Sequence, residues 1–286
     1  MRLNELMSGH TSFKIGGPAD ILVLPESIEQ LREVLKVVKE TVVPLTLLGN
    51  GSNVLVRDKG IRGIVIKLGN MLRHFYEAED LLVFGSGYSL ALASYKAMEC
   101  GKTGMEFAVG IPGSIGGAVY MNAGAYDGEM QNIVNCVKVM DLQGNERVLT
   151  AEELNFGYRK TSLQNSGLIV TEVTLKMPSG NKDEIKSKMD DFSHRRISKQ
   201  PLEMPSAGSM FKRPPGYFAG TLIDQAGLKG YTVGGAQIST KHAGFVVNVG
   251  GATAADVLQL IKDVQTKIKA GVGVELQPEV LVIGEE

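Results

Sequence analysis

Two glycine-rich stretches are the first candidates for chemistry in this sequence. The longer one, "GIPGSIGGAVYMNAGAYDGE" from Gly110, contains six glycines within nineteen residues, and the shorter one, "GNGSN", runs from Gly49 to Asn53. Because glycine lacks a Cβ and tolerates positive φ, such stretches can bring backbone N–H donors directly against phosphate oxygens. A pyrophosphate is therefore the expected ligand, and a set of tight turns is the alternative.

Neither stretch matches an established phosphate-binding motif. The sequence contains no G-x-x-x-x-G-K-[ST], and in "GNGSNV" Val54 occupies the place of the third glycine of G-x-G-x-x-G. The hypothesis consequently depends on the presence of two such stretches rather than on either one alone.

The composition indicates a globular protein that lacks the net positive charge needed to attract polyanions. The 286 residues are 43% hydrophobic and 21% charged, and 30 Lys+Arg against 31 Asp+Glu give a formal net charge of -1. A charge of this size recruits neither nucleic acid nor an anionic membrane. The sequence shows no secretory signal and no window of roughly 18 apolar residues, so we expect a cytoplasmic protein that does not span a membrane.

The histidines and cysteines have no spacing typical of a metal site or a disulfide framework. They are His10, His74, His194, His242, Cys100 and Cys136. Since they are scattered along the chain, we expect no bound metal.

Hydrophobic patterns predict the helices and strands that carry these stretches. Apolar residues recur at helical spacing from Ile28 to Val38, and Ser27 with Gln30 has the arrangement of a capping box. Short apolar runs around this helix predict strands, among them "GIRGIVIKLG". Near the C-terminus, "TAADVLQLIKDVQTKIKA" predicts a long helix with Gly271 beyond its end.

A change of composition near residue 180 predicts the domain organisation. Residues 1–180 mix strands and helices and are expected to form one α+β region, with two subdomains at about 1–65 and 66–180. Residues 181–286 are expected to form a second domain. The highly charged segment at 181–200 predicts a helix that connects the two.

Several further motifs resemble the UDP-N-acetylenolpyruvoylglucosamine reductase family. After the two glycine-rich stretches come, in order, "FGYRKTS", "AGSMFKRP", "AGLKG", "GGAQIS", "KHAGFVVN" and "PEVLVIG", so the resemblance covers nearly the whole chain. It implies an α+β fold in which an FAD-binding region of the vanillyl-alcohol-oxidase/PCMH type is followed by a smaller α+β substrate-binding domain.

The resemblance also implies an activity. The family uses NADPH and FAD to reduce UDP-N-acetylenolpyruvoylglucosamine to UDP-N-acetylmuramate, in peptidoglycan precursor synthesis and thus in cell wall biogenesis, cell shape and cell division. The implied partners are the UDP-sugar and NADPH, with no nucleic acid, no membrane and no obligate protein partner. Some members carry an additional loop with a substrate-closing tyrosine; here "VTLKMPSGNKDEIKSKMDDF" leads straight into the charged helix, which resembles the shorter subtype.

By the same resemblance the two glycine-rich stretches contact FAD. Neither "GNGSN" nor "GIPGSIGG" contains the His or Cys through which some related FAD proteins attach flavin, so the expected cofactor is noncovalent. The expected contacts are Gly49, Asn50, Gly51, Ser52, Asn53, Gly110, Ile111, Pro112, Gly113, Ser114, Gly116, Gly117, Ala118, Asn122, Gly124 and Ala125.

Three residues match catalytic positions of the family. Hydride addition to the CH2 carbon of an enolpyruvyl ether builds negative charge on the adjacent carbon and its carboxylate, and a proton must follow. Arg159 matches the arginine that stabilises this charge, Ser209 the serine that donates the proton, and Glu279 the acidic residue of the site. Without the resemblance, these would be ordinary exposed or turn residues.

Five polar residues are candidates for binding the UDP-sugar. The basic ones would contact the pyrophosphate, and the others would supply polar contacts. They are Tyr158, Lys199, Lys212, Arg213 and Gln237. The alternative is that they are solvated surface residues.

Two other functions are compatible with the glycine-rich stretches. An FAD-dependent oxidase of a small alcohol or hydroxy acid would keep them but would not need "AGSMFKRP" and "PEVLVIG". A non-catalytic flavin-binding protein would not need Arg159, Ser209 and Glu279.

Overall fold

The computed structural model describes residues 1–68 and 71–286, in which helices and strands are mixed along the chain. The helices are α1 (Ile28–Thr41), α2 (Leu90–Glu99), α3 (Ile115–Tyr120), α4 (Lys182–Lys199), α5 (Ala219–Gln225) and α6 (Ala254–Val272). The strands are β1 (Arg2–Leu6), β2 (Pro18–Val23), β3 (Leu45–Leu48), β4 (Val54–Val56), β5 (Ile61–Lys67), β6 (Phe75–Ala78), β7 (Leu81–Gly85), β8 (Gly124–Ala125), β9 (Gly128–Glu129), β10 (Val134–Met140), β11 (Glu146–Thr150), β12 (Ile169–Lys176), β13 (Ser206–Ser209), β14 (Thr232–Val233), β15 (Ala236–Ile238), β16 (Phe245–Asn248) and β17 (Leu281–Ile283). Gly69, the last residue of the predicted strand "GIRGIVIKLG", lies outside the described residues.

Two compact units are formed by segments that interleave along the chain. Unit 1 comprises Met1–Leu22, Gly51–Ile64 and Ile197–Glu286, and unit 2 comprises Val23–Asn50 and Val65–Arg196. Pairing between distant strands produces this arrangement, because β17 pairs in parallel with β4 in unit 1. Each unit is therefore discontinuous in sequence, and the division of the chain by function, with boundaries near residues 65 and 180, stays a prediction.

Unit 2 is built on an antiparallel sheet in the order β11-β10-β12-β7-β6. Helices α2 and α3 share an apolar core with this sheet, in which Phe84, Ala93, Val119, Val137 and Val173 are all buried. The longer glycine-rich stretch runs through α3, so the sheet fixes its position. Only residues 177–181 separate β12 from α4, which agrees with the predicted lack of an additional loop at this point.

Unit 1 contains a second antiparallel sheet, in the order β13-β16-β15-β14. One face of α6 packs in a core with α5 and this sheet through Val257, Leu260, Ile261, Val264 and Ile268. The helical spacing of these residues in the sequence produces that buried face.

The helix ends differ in detail from the sequence predictions. Ser27 accepts the N–H of Gln30 at 3.2 Å, but the side chain of Gln30 accepts the N–H of Glu26 at 2.9 Å, so the reciprocal bond of a capping box is absent at this pair. The prediction that Gly271 lies beyond α6 is wrong, because the helix continues to Val272. Gly273, with φ +72°, ends it in the left-handed conformation that glycine tolerates best.

Candidate active site

The two glycine-rich stretches meet at one buried hydroxyl in unit 2. Ser114 precedes α3, and its Oγ accepts the N–H of Gly117 at 3.3 Å. A Cβ placed on Gly49 would lie 3.1 Å from this Oγ, and one placed on Gly117 would lie 3.3 Å from it. The hydroxyl is thus bordered by two positions without a side chain. A surface of this kind admits a flat or anionic group close to the backbone, as an FAD pyrophosphate requires.

The beginning of α3 is fixed against the segment that follows β7. Gly116 donates its N–H to the carbonyl of Ser86 at 2.9 Å, and Leu90 donates to Gly113 at 3.1 Å. A Cβ on Gly116 would lie 2.7 Å from the Cβ of Ser86. Gly116 is therefore required by packing, and its N–H is engaged inside the protein.

Ser86 is a residue that the sequence patterns did not single out. Its side chain is buried, and its Oγ has no hydrogen-bond partner in the described part of the chain. A buried hydroxyl normally has a partner, so Ser86 marks a polar position beside the FAD candidate segment. The small-residue run "GSG" in front of α2 was the available signal.

The shorter stretch contains a tight turn at Gly51 and a hydrogen-bonded asparagine, Asn53. Gly51 has φ +70°, and a Cβ there would lie 2.3 Å from the carbonyl oxygen of His10. The tight-turn interpretation therefore holds at Gly51. Asn53 donates its side-chain N–H to the carbonyl of Glu279 at 3.3 Å, and Leu281 donates its N–H to the carbonyl of Asn53 at 3.0 Å.

The later part of the longer stretch is held by internal hydrogen bonds. Asn122 is fully buried, with φ +42°; its amide donates to Glu129 and Gly157 at 3.0 Å each and accepts the N–H of Gln131 at 3.0 Å. This side chain shapes the stretch rather than being exposed to a cofactor. A Cβ on Gly124 would lie 2.6 Å from the carbonyl oxygen of Gly128 in the β8–β9 hairpin, so glycine is required there by the backbone.

Arg159 is bonded to this same part of the stretch. Its Nη1 donates to the carbonyl of Asn122 at 3.1 Å and its Nη2 to the carbonyl of Gly124 at 3.0 Å. Its own backbone has φ +55°, a conformation that costs energy for a residue with a Cβ. Gln164 donates to the Arg159 carbonyl at 3.1 Å. The half-buried guanidinium is therefore fixed to the candidate FAD segment before any ligand binds.

Tyr158 lies beside Arg159 on the surface of unit 2. Its side chain is 52% exposed, and the Cζ of Arg159 lies 5.2 Å from the centre of its ring. The two residues of the "YR" pair are thus in contact. This position is compatible with a polar contact to a ligand above the guanidinium.

The segments that carry Ser209 and Glu279 are joined by a backbone hydrogen bond in unit 1. Ser209 ends β13 and is exposed, and the preceding Gly208 has φ +77°. The next residue, Met210, accepts the N–H of Glu279 at 2.8 Å and donates to the carbonyl of Gly244 at 2.8 Å. The backbones of the predicted serine and glutamate therefore lie on neighbouring segments.

The other four substrate candidates lie in unit 1 and differ in their surroundings. Lys212 follows Ser209 on the same segment and donates its N–H to Gln277 at 2.8 Å. The exposed Arg213 places its guanidinium 4.0 Å from the centre of the Phe218 ring. Gln237 donates from its amide to the hydroxyl of Thr232 at 3.0 Å. Lys199 is exposed at the end of α4.

Residues 1–68 and 71–286 contain neither a cluster of metal ligands nor a membrane-spanning helix. No group of three or more His, Cys, Asp or Glu side chains in these residues is placed to hold a metal ion. No helix in the same residues is long and apolar enough to cross a membrane.

Two family models match separate parts of the chain. Residues 19–150, which contain both glycine-rich stretches, match the FAD binding domain family, and residues 200–283, which contain Ser209 and Glu279, match the UDP-N-acetylenolpyruvoylglucosamine reductase C-terminal domain family. The α+β fold with an FAD-binding region is thereby confirmed. The cofactor of this fold is FAD.

Similar proteins align along the whole chain. A UDP-N-acetylenolpyruvoylglucosamine reductase of Clostridioides difficile is 49% identical over 286 residues, 100% of this chain and 94% of that protein. One of Clostridium perfringens is 52% identical over 280 residues, 98% of this chain and 92% of that protein. The crystal structure of UDP-N-acetylenolpyruvylglucosamine reductase (MurB) from Thermus caldophilus matches with a TM-score of 0.84 and 40% identity over 97% of both chains.

Identity of this extent along the chain shows the family. The chain belongs to the UDP-N-acetylenolpyruvoylglucosamine reductase family.

Proposed function

We propose that this chain reduces UDP-N-acetylenolpyruvoylglucosamine to UDP-N-acetylmuramate with NADPH as hydride donor, in peptidoglycan precursor synthesis. The observation that carries the proposal is the full-length identity of 49% and 52% to reductases of that name. A protein that had kept only a flavin-binding fold would not need the Ser209 and Glu279 segments, which lie in the matched C-terminal domain.

FAD would be held where the two glycine-rich stretches meet, at Gly49, Ser114 and Gly117. When bound, it accepts a hydride from NADPH and supplies it to the CH2 carbon of the enolpyruvyl group. The orphaned hydroxyl of Ser86 and the missing side chains around Ser114 support this placement. Since neither stretch contains a His or Cys, we propose noncovalent binding.

Arg159 would stabilise the charge that develops on the substrate carboxylate. A guanidinium stays charged at any physiological pH and offers a planar pair of donors that matches a carboxylate. Its bonds to the carbonyls of Asn122 and Gly124 support this role, because they orient the group in advance. A donor oriented in advance costs no reorganisation during the reaction.

Ser209 would donate the proton that completes the lactyl ether. Its hydroxyl O–H bond breaks as a new C–H bond forms at the carbanion-like carbon, which is far more basic than an alkoxide. Glu279 is the acidic group on the neighbouring segment and would polarise the substrate or share in restoring the proton. The exposure of Ser209 supports a role toward a ligand rather than within the core.

The UDP pyrophosphate would be bound by Lys212 and Arg213, with Lys199 and the polar side chains of Tyr158 and Gln237 as further contacts. Lys212 and Arg213 lie three and four residues after Ser209 in the sequence, which would place the pyrophosphate near the reacting group. In this proposal, residues 1–180 supply the FAD-binding region, with subdomains at about 1–65 and 66–180, and residues 181–286 supply the substrate-binding domain. The chain would work in the cytoplasm without an obligate protein partner.

Steady-state kinetics of the purified protein separates this function from its rivals. We expect a yellow protein whose consumption of NADPH requires the enolpyruvyl substrate, with a product that has gained one hydride and one proton. An oxidase of a small alcohol would instead reduce oxygen without the UDP-sugar. A non-catalytic flavin-binding protein would consume no NADPH in either case.

A further inference from the structure

Helix α4, expected from the sequence to connect two domains, packs against the start of the longer glycine-rich stretch. Its buried residues Ile185, Met189 and Phe192 form one apolar cluster with Val109, the residue before Gly110. The exposed side of α4 carries the charges that dominate its sequence. The helix is therefore a support for the stretch and not only a linker.

The other end of the stretch reaches the same helix. Tyr126 follows Ala125 with φ +49°, and its ring stacks on the ring of Phe192 at 4.4 Å between centroids and 11° between planes. The Tyr126 hydroxyl donates to the carbonyl of Phe192 at 3.3 Å. A stacked aromatic pair with a hydrogen bond is a specific contact, so both ends of the stretch are fixed to α4.

Arg196 connects these two ends. A Cβ on Gly110 would lie 2.5 Å from the Cδ and 2.9 Å from the Nε of Arg196, so the arginine stem lies directly across the glycine. Its guanidinium also forms a side-chain hydrogen bond with Tyr126. Burial lowers the pKa of Arg196 below its ordinary value, whereas the contact with Tyr126 raises it. These opposite effects are expected for a cation packed between chain segments.

A second connection lies just before the stretch. Glu106 is buried and accepts hydrogen bonds from Thr103 Oγ1 at 2.6 Å and from the N–H of Gly104 at 2.8 Å. Lys188 of α4 lies 3.9 Å from the same carboxylate. The chain that leads into Gly110 is consequently held to α4 by charge as well as by apolar packing.

We infer that Arg196 is a positioning residue for FAD: by holding Gly110 and Tyr126 against α4, it fixes both ends of the segment that binds the cofactor. The inference rests on the proposed function, because it takes Gly110–Ala125 as the FAD-binding segment. Arg196 acts through that segment and not by contact with the reacting atoms.

The test compares Arg196→Ala with Arg195→Ala in the purified holoenzyme. Arg195 is the adjacent arginine on α4 and pairs with Asp191 at 2.7 Å, so its replacement removes the same charge without touching Gly110. Release of FAD after dilution is followed by the rise of free-flavin fluorescence. We expect release about tenfold faster for Arg196→Ala, the size of one lost hydrogen bond to a charged group. Arg195→Ala should match the wild type.

The visible absorption spectrum of bound flavin gives a reading that general destabilisation would not change. We expect a shifted spectrum in Arg196→Ala, an unshifted one in Arg195→Ala, and partial recovery in Arg196→Lys, whose aliphatic stem still covers Gly110. Unchanged release and spectrum in Arg196→Ala would overturn the inference. A wild type without a flavin spectrum would overturn the proposed function, and this inference with it.

A double variant keeps the inference testable if Arg196→Ala folds poorly. Gly110→Ala should speed FAD release, because its Cβ meets the arginine stem, and the same change should have a smaller effect when residue 196 is already alanine. Equal effects of Gly110→Ala in both backgrounds would show that the arginine stem does not constrain this glycine, and would overturn the inference.

Discussion

Arg159 and Ser209, the two residues assigned to charge stabilisation and proton donation, are held in different ways. Arg159 is half-buried, has a left-handed backbone, and donates two hydrogen bonds to carbonyls of the FAD candidate segment at Asn122 and Gly124. Ser209 is exposed at the end of a short strand, and Gly208 before it has φ +77°. The Arg159 side chain is thus fixed by its own hydrogen bonds, whereas the position of the Ser209 side chain is set by the backbone.

Because the two side chains are held differently, substitutions at Ser209 and at Arg159 should differ in how far they disturb the structure around the reacting groups. A change at Ser209 removes a hydroxyl from an exposed position and leaves the strand pairing intact. A change at Arg159 removes a donor and also releases two carbonyls of the neighbouring segment. Ser209 variants should therefore give the cleaner kinetic signature.

Ser209→Ala is expected to have the largest effect. Hydride transfer from NADPH to FAD needs no proton from this residue, so flavin reduction should stay near the wild-type rate while turnover falls by about 10²- to 10⁴-fold. Ser209→Cys retains an exchangeable proton and should recover part of the activity. Stopped-flow absorbance of the flavin follows each half-reaction.

Ser206→Ala is the matched control, because Ser206 lies on the same strand and pairs with Val247. It should leave both half-reactions unchanged. If Ser209→Ala slowed both halves equally, or neither, the serine would be a structural turn residue and not the proton donor.

Arg159→Lys is expected to have the next largest effect. Lysine keeps the charge but loses the planar pair of donors, so substrate reduction should fall by about 10²- to 10³-fold while FAD stays bound. Flavin content from the absorption spectrum and steady-state rates check both parts. Near-normal turnover would show that the fixed guanidinium does not stabilise the developing charge.

Gly117→Ala should separate cofactor binding from folding. Gly117 is exposed within α3, where alanine favours the helix by about 0.5–1 kcal/mol, and its Cβ would meet only the Ser114 hydroxyl, at 3.3 Å. We expect thermal stability of the flavin-free fraction to be maintained and FAD affinity to fall about tenfold, because a methyl group would enter the cofactor surface.

Gly124→Ala is the contrasting variant for that experiment. Its Cβ would lie 2.6 Å from a carbonyl oxygen in the β8–β9 hairpin, so it should lower the thermal midpoint as well as flavin content. Full flavin retention in Gly117→Ala would mean that this glycine does not face the cofactor.

The smallest expected effect concerns the support of the Ser209 strand by His242. The Nδ1 of His242 accepts the N–H of Gly244 at 3.0 Å, and the carbonyl of Gly244 accepts the N–H of Met210. Burial lowers the pKa of His242 below 6.5, with Lys229 and Lys199 acting in the same direction. Protonation of Nδ1 would remove the acceptor, so the unfolded chain binds this proton more readily than the folded one.

Stability should consequently be highest above pH 6.5 and should fall as the pH drops through 6.5 toward the lower folded pKa. We expect the wild-type thermal midpoint to decline by a few degrees more than that of His242→Gln over this window. An identical decline in both proteins would exclude His242 as the titrating group.

Local patterns predicted the elements that depend on local sequence. The helical spacing of Leu31, Leu35 and Val38 gives the buried face of α1, and the glycine density located the two segments that meet at Ser114. The end of α6 was missed by two residues, because Gly271 and Gly273 are equivalent in pattern and only the left-handed backbone of Gly273 distinguishes them.

Features set by distant contacts could not be derived from those patterns. Gly51 is required because the carbonyl of His10 approaches it, and the acceptors of Arg159 lie 37 and 35 residues away in the chain. The burial of Asn122, predicted as a cofactor contact, depends on partners as far away as Gly157. Interleaving of the two units has the same origin, since β4 and β17 pair across most of the sequence.

Reoxidation of the flavin by substrate tests the central claim most directly. The holoenzyme is mixed anaerobically with one equivalent of NADPH, and the flavin absorbance should bleach. Addition of UDP-N-acetylenolpyruvoylglucosamine should then restore the absorbance without oxygen and yield UDP-N-acetylmuramate in proportion to the flavin. An absorbance that stays bleached until oxygen is admitted, or that never bleaches, would contradict the assignment of this chain as the reductase.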